Sequence, residues 1–189
     1  MVRGSFDEHL AVTTAAVDQV VPALERVVAA TTACLGAGGK VLVFGNGGSA
    51  SQAQHFAAEL TGRFEAERQA WPALALTADQ ATVTAIANDY GYERVFARQV
   101  EALGRPGDLV VAISTSGTSA NVVAGIEAAR AAGCATAALT GEGGGALAAL
   151  VDLLVAVPSR RTARIQEVHT ICLHAWCEAV EAWTAAGTA

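Results

Sequence analysis

Five short apolar segments, each followed by a loop and a helix, constrain the fold more than any other feature of the sequence. Segment 109–113 is apolar at every position, which is typical of a parallel strand buried on both faces. Further strands are predicted at 40–45, 73–76, 135–139 and 153–157. Regular alternation of strands with helices predicts a three-layer α/β/α sandwich around a five-stranded parallel sheet. Ligands of such folds bind at the carboxyl ends of the strands.

Helices are predicted between these strands. The predicted ranges are 49–62, 79–87, 92–103, 120–132 and a short helix at 146–150. A turn is predicted at Asn88–Gly91, because Asn, Asp and Gly favour turns.

Two long helices are predicted to flank the sheet. Residues 5–35 have apolar side chains at helical period, in one helix or in two, with Pro22 as a kink or a new first turn. The second helix spans 164–184, before a frayed tail. We predict one domain over 1–189, with its sheet core at about 36–158. The first helix either covers the core or forms a subunit interface, and the 52% hydrophobic content favours the interface.

Composition excludes several classes of function. No run of about 18 apolar residues exists, so no membrane span is predicted. The N-terminus lacks the apolar segment of a signal peptide, so we expect a cytoplasmic protein. The formal net charge is −6 and Lys40 is the only lysine, which makes nucleic acid an improbable direct partner. The four cysteines are scattered, and we expect them to be reduced core residues.

Two loops at predicted strand ends are typical of phosphate sites. Gly45–Ser49 is glycine-rich, and Ser114–Ser119 contains five hydroxyl side chains. Backbone N–H groups and hydroxyls at a helix start bind phosphate without lysine. A single loop of this kind could be an ordinary helix cap, but two at successive strand ends favour a phosphorylated ligand. The first loop also fits a dinucleotide fingerprint, which needs an acidic residue at a strand end about 20 positions further on. The acidic residues at that distance, Glu65 and Glu67, fall in a charged loop instead.

Two helices carry candidate metal ligands or acid–base groups. His55 and Glu59 lie four residues apart and share a helix face. The last helix carries Gln166 and His174, which are some 80° around the helix and about 12 Å along it. Both reach one ion only with extended side chains. Two imidazoles, a carboxylate and an amide oxygen suit zinc or a similar divalent ion.

Simpler interpretations stay open for the last helix. His169 or His174 taken alone is more commonly a partly buried, hydrogen-bonded histidine. Cys172 and Cys177 flank His174 and could form a rival thiolate site, although their spacing points them to different helix faces.

Five motifs together resemble the phosphoheptose (sedoheptulose 7-phosphate) isomerases of the sugar-isomerase, or SIS, superfamily. The motifs are GNGGSASQAQHFAAELTGRF, IANDYG, ISTSGTSANV, LTGEGGG and RIQEVHTICLH, in order along residues 7 to 183. The resemblance implies a flavodoxin-like SIS fold in a homotetramer. In that assembly the terminal helices form the central bundle and subunits share active sites.

The resemblance also implies the site residues and one zinc ion per subunit. The implied zinc ligands are His55, Glu59, Gln166 and His174. The implied phosphate contacts are Ser114, Thr115, Ser116 and Ser119, with Ser49 nearby. Further implied substrate contacts are Asn46, Gly47, Gly48, Arg63, Asn88 and Asp89, beside His55, Glu59 and Gln166.

The implied reaction interconverts D-sedoheptulose 7-phosphate and D-glycero-D-manno-heptose 7-phosphate, a first step towards nucleotide-activated heptoses. Moving a proton between adjacent carbons through an enediol requires a base, an acid and oxyanion stabilisation. Glu59 and His174 are the candidates for this proton shuttle, and the residue that takes the first proton stays open. Zinc would polarise the sugar oxygens.

Two positions depart from the family pattern, and one other class of function fits much of the sequence. Gln52 lies where many members have an acidic residue, and Ala163 where some have Asp, so both are expected to loosen the surroundings of the site. The alternative is a non-catalytic SIS protein that binds a sugar phosphate or the replication initiator DnaA. As the resemblance implies, the DnaA binders lack the residues matching Glu59 and His174, and both are present here.

Overall fold

The computed structural model describes residues 1–187 and contains the predicted parallel sheet. In the described residues five strands pair in parallel in the order β2-β1-β3-β4-β5. The strands are β1 (Val41–Gly45), β2 (Ala73–Ala75), β3 (Leu109–Ser114), β4 (Ala135–Thr140) and β5 (Leu153–Ala156). The helices are α1 (Val2–Gly36), α2 (Gly48–Thr61), α3 (Gln80–Tyr90), α4 (Ala97–Leu103), α5 (Ala120–Ala131) and α6 (Thr162–Gly187). Short 3-10 turns lie at Tyr92–Arg94 and Gly145–Ala149.

Each face of the sheet has its own apolar core, which confirms the three-layer prediction. Successive strand residues point to opposite faces, so Val43 packs towards α1, α2 and α6, and Phe44 towards α4 and α5. On the first face the rings of Phe56 and Trp176 lie 4.4 Å apart. On the second, Phe44 stacks on Phe96 at 4.7 Å. All of these side chains are buried, which accounts for the continuous apolar strands.

The helix α1 is continuous, so the alternative of two helices is wrong. Pro22 lies inside it at an exposed position, where water can satisfy the carbonyl that loses its N–H partner. The helix keeps several large apolar side chains exposed: Phe6, Leu10, Val17 and Val21. Trp176 of α6 donates a hydrogen bond to the buried hydroxyl of Thr31 at 3.0 Å, which ties the two long helices together.

Three local predictions are corrected. Asn88 and Asp89 lie in the last turn of α3, not in a turn, because the helix ends only at Gly91, whose φ of 87° favours glycine. The predicted helix 92–103 is a 3-10 turn followed by the shorter α4. The expected frayed tail is helical through Gly187, and residues 188–189 lie outside the described residues.

Other expectations fare differently. All four cysteines are buried and free, as expected. Over residues 1–187, no helix combines the length and apolarity needed to cross a membrane. The single-domain assignment stays a prediction.

Candidate active site

The glycine-rich turn joins β1 to α2 at the carboxyl end of the sheet. β1 is buried along its whole length and ends at Gly45. Gly47 has a φ of 56°, in the left-handed region that favours glycine, and α2 starts at the next residue. Backbone N–H groups of Ser49 and Ala50 bond back to the carbonyls of Asn46 and Gly47, both at 3.0 Å. The turn therefore presents the positive end of the α2 dipole next to the strand end.

The hydroxyl-rich loop lies beside that turn, because β1 and β3 are neighbours and their pairing ends at Gly45 and Ile113. Gly117 has a φ of 65° and donates its N–H to the Ser114 hydroxyl at 3.2 Å. Ser119 precedes α5 but makes no side-chain capping bond, which leaves its hydroxyl available to a ligand. The two predicted loops are thus brought together.

A cavity of about 290 Å³ opens between the two loops. Its lining comes from both loops and from the start of α6: Asn46, Gly47, Gly48, Ser49, Ile113, Ser114, Thr115, Ser116, Ser119, Thr162 and Gln166. None of these lining residues is charged, so an anion here would be held by hydroxyls, backbone N–H groups and helix dipoles.

Three of the four predicted metal ligands converge between α2 and α6. The Nε2 atoms of His55 and His174 lie 3.1 Å apart. His55 Nε2 also lies 3.5 Å from a Glu59 carboxylate oxygen. Seven residues separate Gly48 from His55, so the cluster lies about 10 Å along α2 from the cavity.

The chemistry of these donors fits a divalent ion. Two imidazole nitrogens on one tetrahedral zinc lie roughly 3.3 Å apart, close to the separation of His55 and His174. Within residues 1–187, however, no three His, Cys, Asp or Glu side chains are already arranged to enclose an ion. The donor types and the short pairwise distances nevertheless suit one ion shared by the three side chains. The side chains would have to reorient so that all three aim at that ion.

Gln166, the fourth predicted ligand, lies at the other end of the site. Its side chain lies so close to Gly48 that a Cβ added there would lie 2.6 Å from the Gln166 amide nitrogen. Gln52 of α2 donates to the Gln166 backbone carbonyl at 2.7 Å and to Thr170 at 2.9 Å. Gln52 therefore ties α2 to α6, and its effect relative to an acidic residue stays a prediction. Ala163 is exposed in the first turn of α6.

Comparison with known proteins identifies the family of this chain. The SIS domain family model matches residues 6–141. A phosphoheptose isomerase of Roseiflexus sp. is 62% identical over 76% of this chain and 73% of its own length. That of Thiobacillus denitrificans is 52% identical over 88% of this chain and 86% of its own. The chain belongs to the phosphoheptose isomerase family.

A solved structure of this family supports the assignment and the fold. The phosphoheptose isomerase from Neisseria gonorrhoeae superposes with a TM-score of 0.91 at 44% identity, covering 96% of this chain and 97% of that one. The predicted family, fold class and enzyme class are therefore confirmed. The non-catalytic alternative is not favoured.

Besides His55 and Glu59, three predicted substrate residues lie outside the cavity of the same chain. Arg63 is exposed and donates to the Glu65 carbonyl at 3.0 Å. Asn88 and Asp89 bond to each other at 2.7 Å on the exposed end of α3. None of the three contributes to the cavity lining in residues 1–187.

Glu181 is a structural residue of the site that sequence reasoning missed. Its buried carboxylate accepts backbone N–H bonds from Phe64, Glu65 and Ala66, at 2.9, 3.0 and 2.8 Å. Burial raises the pKa of Glu181, but the three backbone donors and the Arg68 guanidinium lower it by more. The pKa of Glu181 therefore lies below its usual value. Glu181 thus fixes the loop that follows α2, and no local pattern in the sequence indicates this contact.

His169 is a buried, hydrogen-bonded histidine, as the simpler interpretation predicts. The rival thiolate site at Cys172 and Cys177 is not supported. His169 is fully buried and donates from Nε2 to the Thr140 carbonyl at 3.0 Å. Burial lowers its pKa to about 4, so it stays neutral. Burial also raises the pKa of Cys172 and Cys177 to about 12. Protonated, buried thiols are poor metal ligands, which argues against the thiolate site.

Proposed function

We propose that the protein isomerises D-sedoheptulose 7-phosphate to D-glycero-D-manno-heptose 7-phosphate through an enediol. Family membership supports the reaction class. Two observations carry the proposal. His55 contacts both Glu59 and His174, and this cluster lies some 10 Å along α2 from an uncharged cavity that hydroxyl side chains line. An open-chain sugar phosphate has the same layout, with its phosphate at one end and its carbonyl at the other.

The phosphate would lie on the hydroxyl loop, and the glycine turn beside it would contact the rest of the substrate. Ser114, Thr115, Ser116 and Ser119 offer hydroxyls, with Ser49 nearby, and the positive dipole ends of α2 and α5 face the same cavity. Gly47 and Gly48 leave room for the ligand to approach the backbone closely.

Glu59 and His174 would move the proton between C1 and C2. One removes the proton from C1 while the other protonates the carbonyl oxygen at C2, which gives the enediol. Loss of the hydroxyl proton at C1 and protonation of C2 then give the aldose. The Nε2 atoms of His55 and His174 lie at hydrogen-bond distance, 3.1 Å, so one ring donates a proton and the other accepts it.

We further propose one zinc ion per subunit, held by His55, Glu59 and His174, with Gln166 as a fourth ligand once its side chain turns from Gly48 towards the other three. When bound, such an ion polarises a carbonyl and stabilises the enediolate oxygen. The donor types on α2 and α6 support this proposal. Gln52 would help by holding the two helices together.

A homotetramer with shared active sites belongs to the same proposal. It is supported by the exposed apolar side chains of α1 and by Ile171 of α6, which is 45% exposed. Arg63, Asn88 and Asp89 lie outside the cavity of their own chain, and a neighbouring subunit could use them. We also propose a cytoplasmic location, which the four free thiols support.

The deciding experiment supplies purified protein with zinc and sedoheptulose 7-phosphate and follows formation of the aldose. Turnover is expected, and it should fall when a chelator removes the metal. Absence of turnover with zinc present, together with binding to DnaA, would overturn the proposal in favour of the non-catalytic alternative.

A further inference from the structure

The carboxamides of Asn46 and Asn121 form a reciprocal pair. Asn46 Nδ2 donates to Asn121 Oδ1 at 2.8 Å, and Asn121 Nδ2 donates to Asn46 Oδ1 at 2.8 Å. The Tyr92 hydroxyl donates a third bond to Asn46 Oδ1 at 3.2 Å. Asn121 is 4% exposed, so its carboxamide has little access to water, whereas the Tyr92 bond lies at the exposed side of the pair.

This pair joins the two loops of the site. Asn46 directly precedes Gly47 in the glycine turn, and Asn121 is the second residue of α5, two positions after Ser119. The backbone ladder between β1 and β3 ends at Gly45 and Ile113. Beyond it, the paired side chains continue the connection between the loops.

The same contacts limit what the Asn46 side chain can offer a ligand. Its oxygen already accepts two hydrogen bonds, and one of its two N–H groups is used. The Asn46 side chain is therefore committed to the protein, and its effect on the ligand is largely indirect.

We propose that Asn121 is a positioning residue that acts through Asn46. It fixes the glycine turn against the hydroxyl loop, and so sets the spacing of the two loops that line the cavity. This inference rests on the proposed function. A ligand that spans both loops should need the pair, whereas inorganic phosphate, held by the hydroxyl loop, should not.

The test compares two ligands in Asn121→Ala, Asn46→Ala and the double variant. Dissociation constants of inorganic phosphate and sedoheptulose 7-phosphate are measured by calorimetry, with kcat and KM alongside. Loss of one buried hydrogen-bonded pair should weaken sedoheptulose 7-phosphate binding and raise its KM about tenfold. The phosphate dissociation constant should change little, and kcat less than KM. The double variant should be no worse than either single variant, because both remove the same pair.

Two further variants keep the test sharp if the alanine variants are poorly folded. Asn121→Leu preserves side-chain volume without adding charge and removes both bonds to Asn46, so it should show the same selective loss. Tyr92→Phe removes only the third bond and should have a smaller effect of the same kind.

An equal loss of affinity for inorganic phosphate and for sedoheptulose 7-phosphate would overturn the inference. Additive effects in the double variant would also overturn it, because they would mean that Asn46 contacts the substrate directly. The wild-type turnover assay decides the proposed function separately. A wild type that binds the heptose phosphate without converting it would refute that function, yet the ratio of dissociation constants would still test Asn121.

Discussion

The Nε2 atoms of His55 and His174 lie 3.1 Å apart, although 119 residues separate them in the chain. The two rings belong to different helices, so the site exists only where α2 packs on α6. The buried contact of Phe56 with Trp176 and the hydrogen bonds of Gln52 hold that packing. The ring of Phe64 lies 5.5 Å from His174 and adds a third wall.

Replacing Glu59 by Gln should remove the carboxylate and keep the side-chain shape. Loss of a general acid–base group is expected to lower kcat by about 10²- to 10⁴-fold. The same charge change in Glu178→Gln, exposed on α6, is the matched control and should leave kcat unchanged. Near-normal turnover of Glu59→Gln in the aldose assay, with an unchanged circular dichroism spectrum, would rule out its proposed role.

Replacing His174 by Gln should weaken zinc binding as well as turnover. We expect at least a tenfold loss of zinc affinity, since a residue that binds the metal directly contributes no less to affinity than the residues that support it. Chelator-treated protein is titrated with zinc, and bound metal is measured by mass spectrometry. Glu178→Gln again serves as the control. Unchanged zinc retention in His174→Gln would exclude this histidine as a ligand.

The sheet and the loops could be predicted because their signals are local. A strand buried on both faces is apolar along its length, as Leu109–Ile113 of β3 is. Hydroxyl side chains and glycines at strand ends indicate a ligand-binding loop. Local signals also misled: the Asn, Asp and Tyr before Gly91 favour a turn, yet helical hydrogen bonding continues to Tyr90.

Long-range pairs had no such signal. Asn46 meets Asn121 across 75 residues, and Glu181 meets the Phe64 N–H across 117. From sequence alone, an amide in a loop or a carboxylate on a helix is predicted to be exposed to solvent, because its burial depends on the packing of other elements. These contacts follow from the packing of the elements, not from any spacing within them.

Replacing Glu181 by Gln should destabilise the fold and release the loop that carries Arg63. A buried charged acceptor with several backbone donors is worth about 2 kcal/mol, so urea denaturation at neutral pH should show a loss of that order.

The loss in Glu181→Gln should also depend on pH. The folded pKa of Glu181 lies below the ordinary 4.5, with burial raising it and the loop N–H groups lowering it more. Its stabilisation is therefore complete above the unfolded pKa and disappears as pH falls through the folded pKa. Glu178→Gln should show no such dependence, and a pH-independent difference for Glu181→Gln would contradict the assigned cause.

Replacing Gly48 by Ala should move Gln166 without unfolding the protein. The new Cβ would lie 2.6 and 3.0 Å from the two terminal atoms of Gln166, a flexible side chain that can move away. We expect turnover of sedoheptulose 7-phosphate to fall about tenfold, since Gln166 lines the cavity beside Gly48 and would be displaced from it. The control is Gly4→Ala, whose Cβ meets no atom within 4 Å. Equal activity of the two variants would show that Gln166 does not act from this position.

Placing a charge on the exposed face of α1 should disrupt the proposed tetramer. Val17 and Val21 line an apolar groove together with Ile171 of α6, and all three are about half exposed in a single chain. Burying an unpaired carboxylate in a subunit interface is strongly unfavourable. Val21→Asp should therefore lower the mass measured by light scattering, whereas Val21→Ala should preserve it. Turnover of Val21→Asp should fall with the mass, because Arg63, Asn88 and Asp89 would no longer reach a neighbouring cavity. A monomeric yet fully active Val21→Asp would show that each chain carries a complete site.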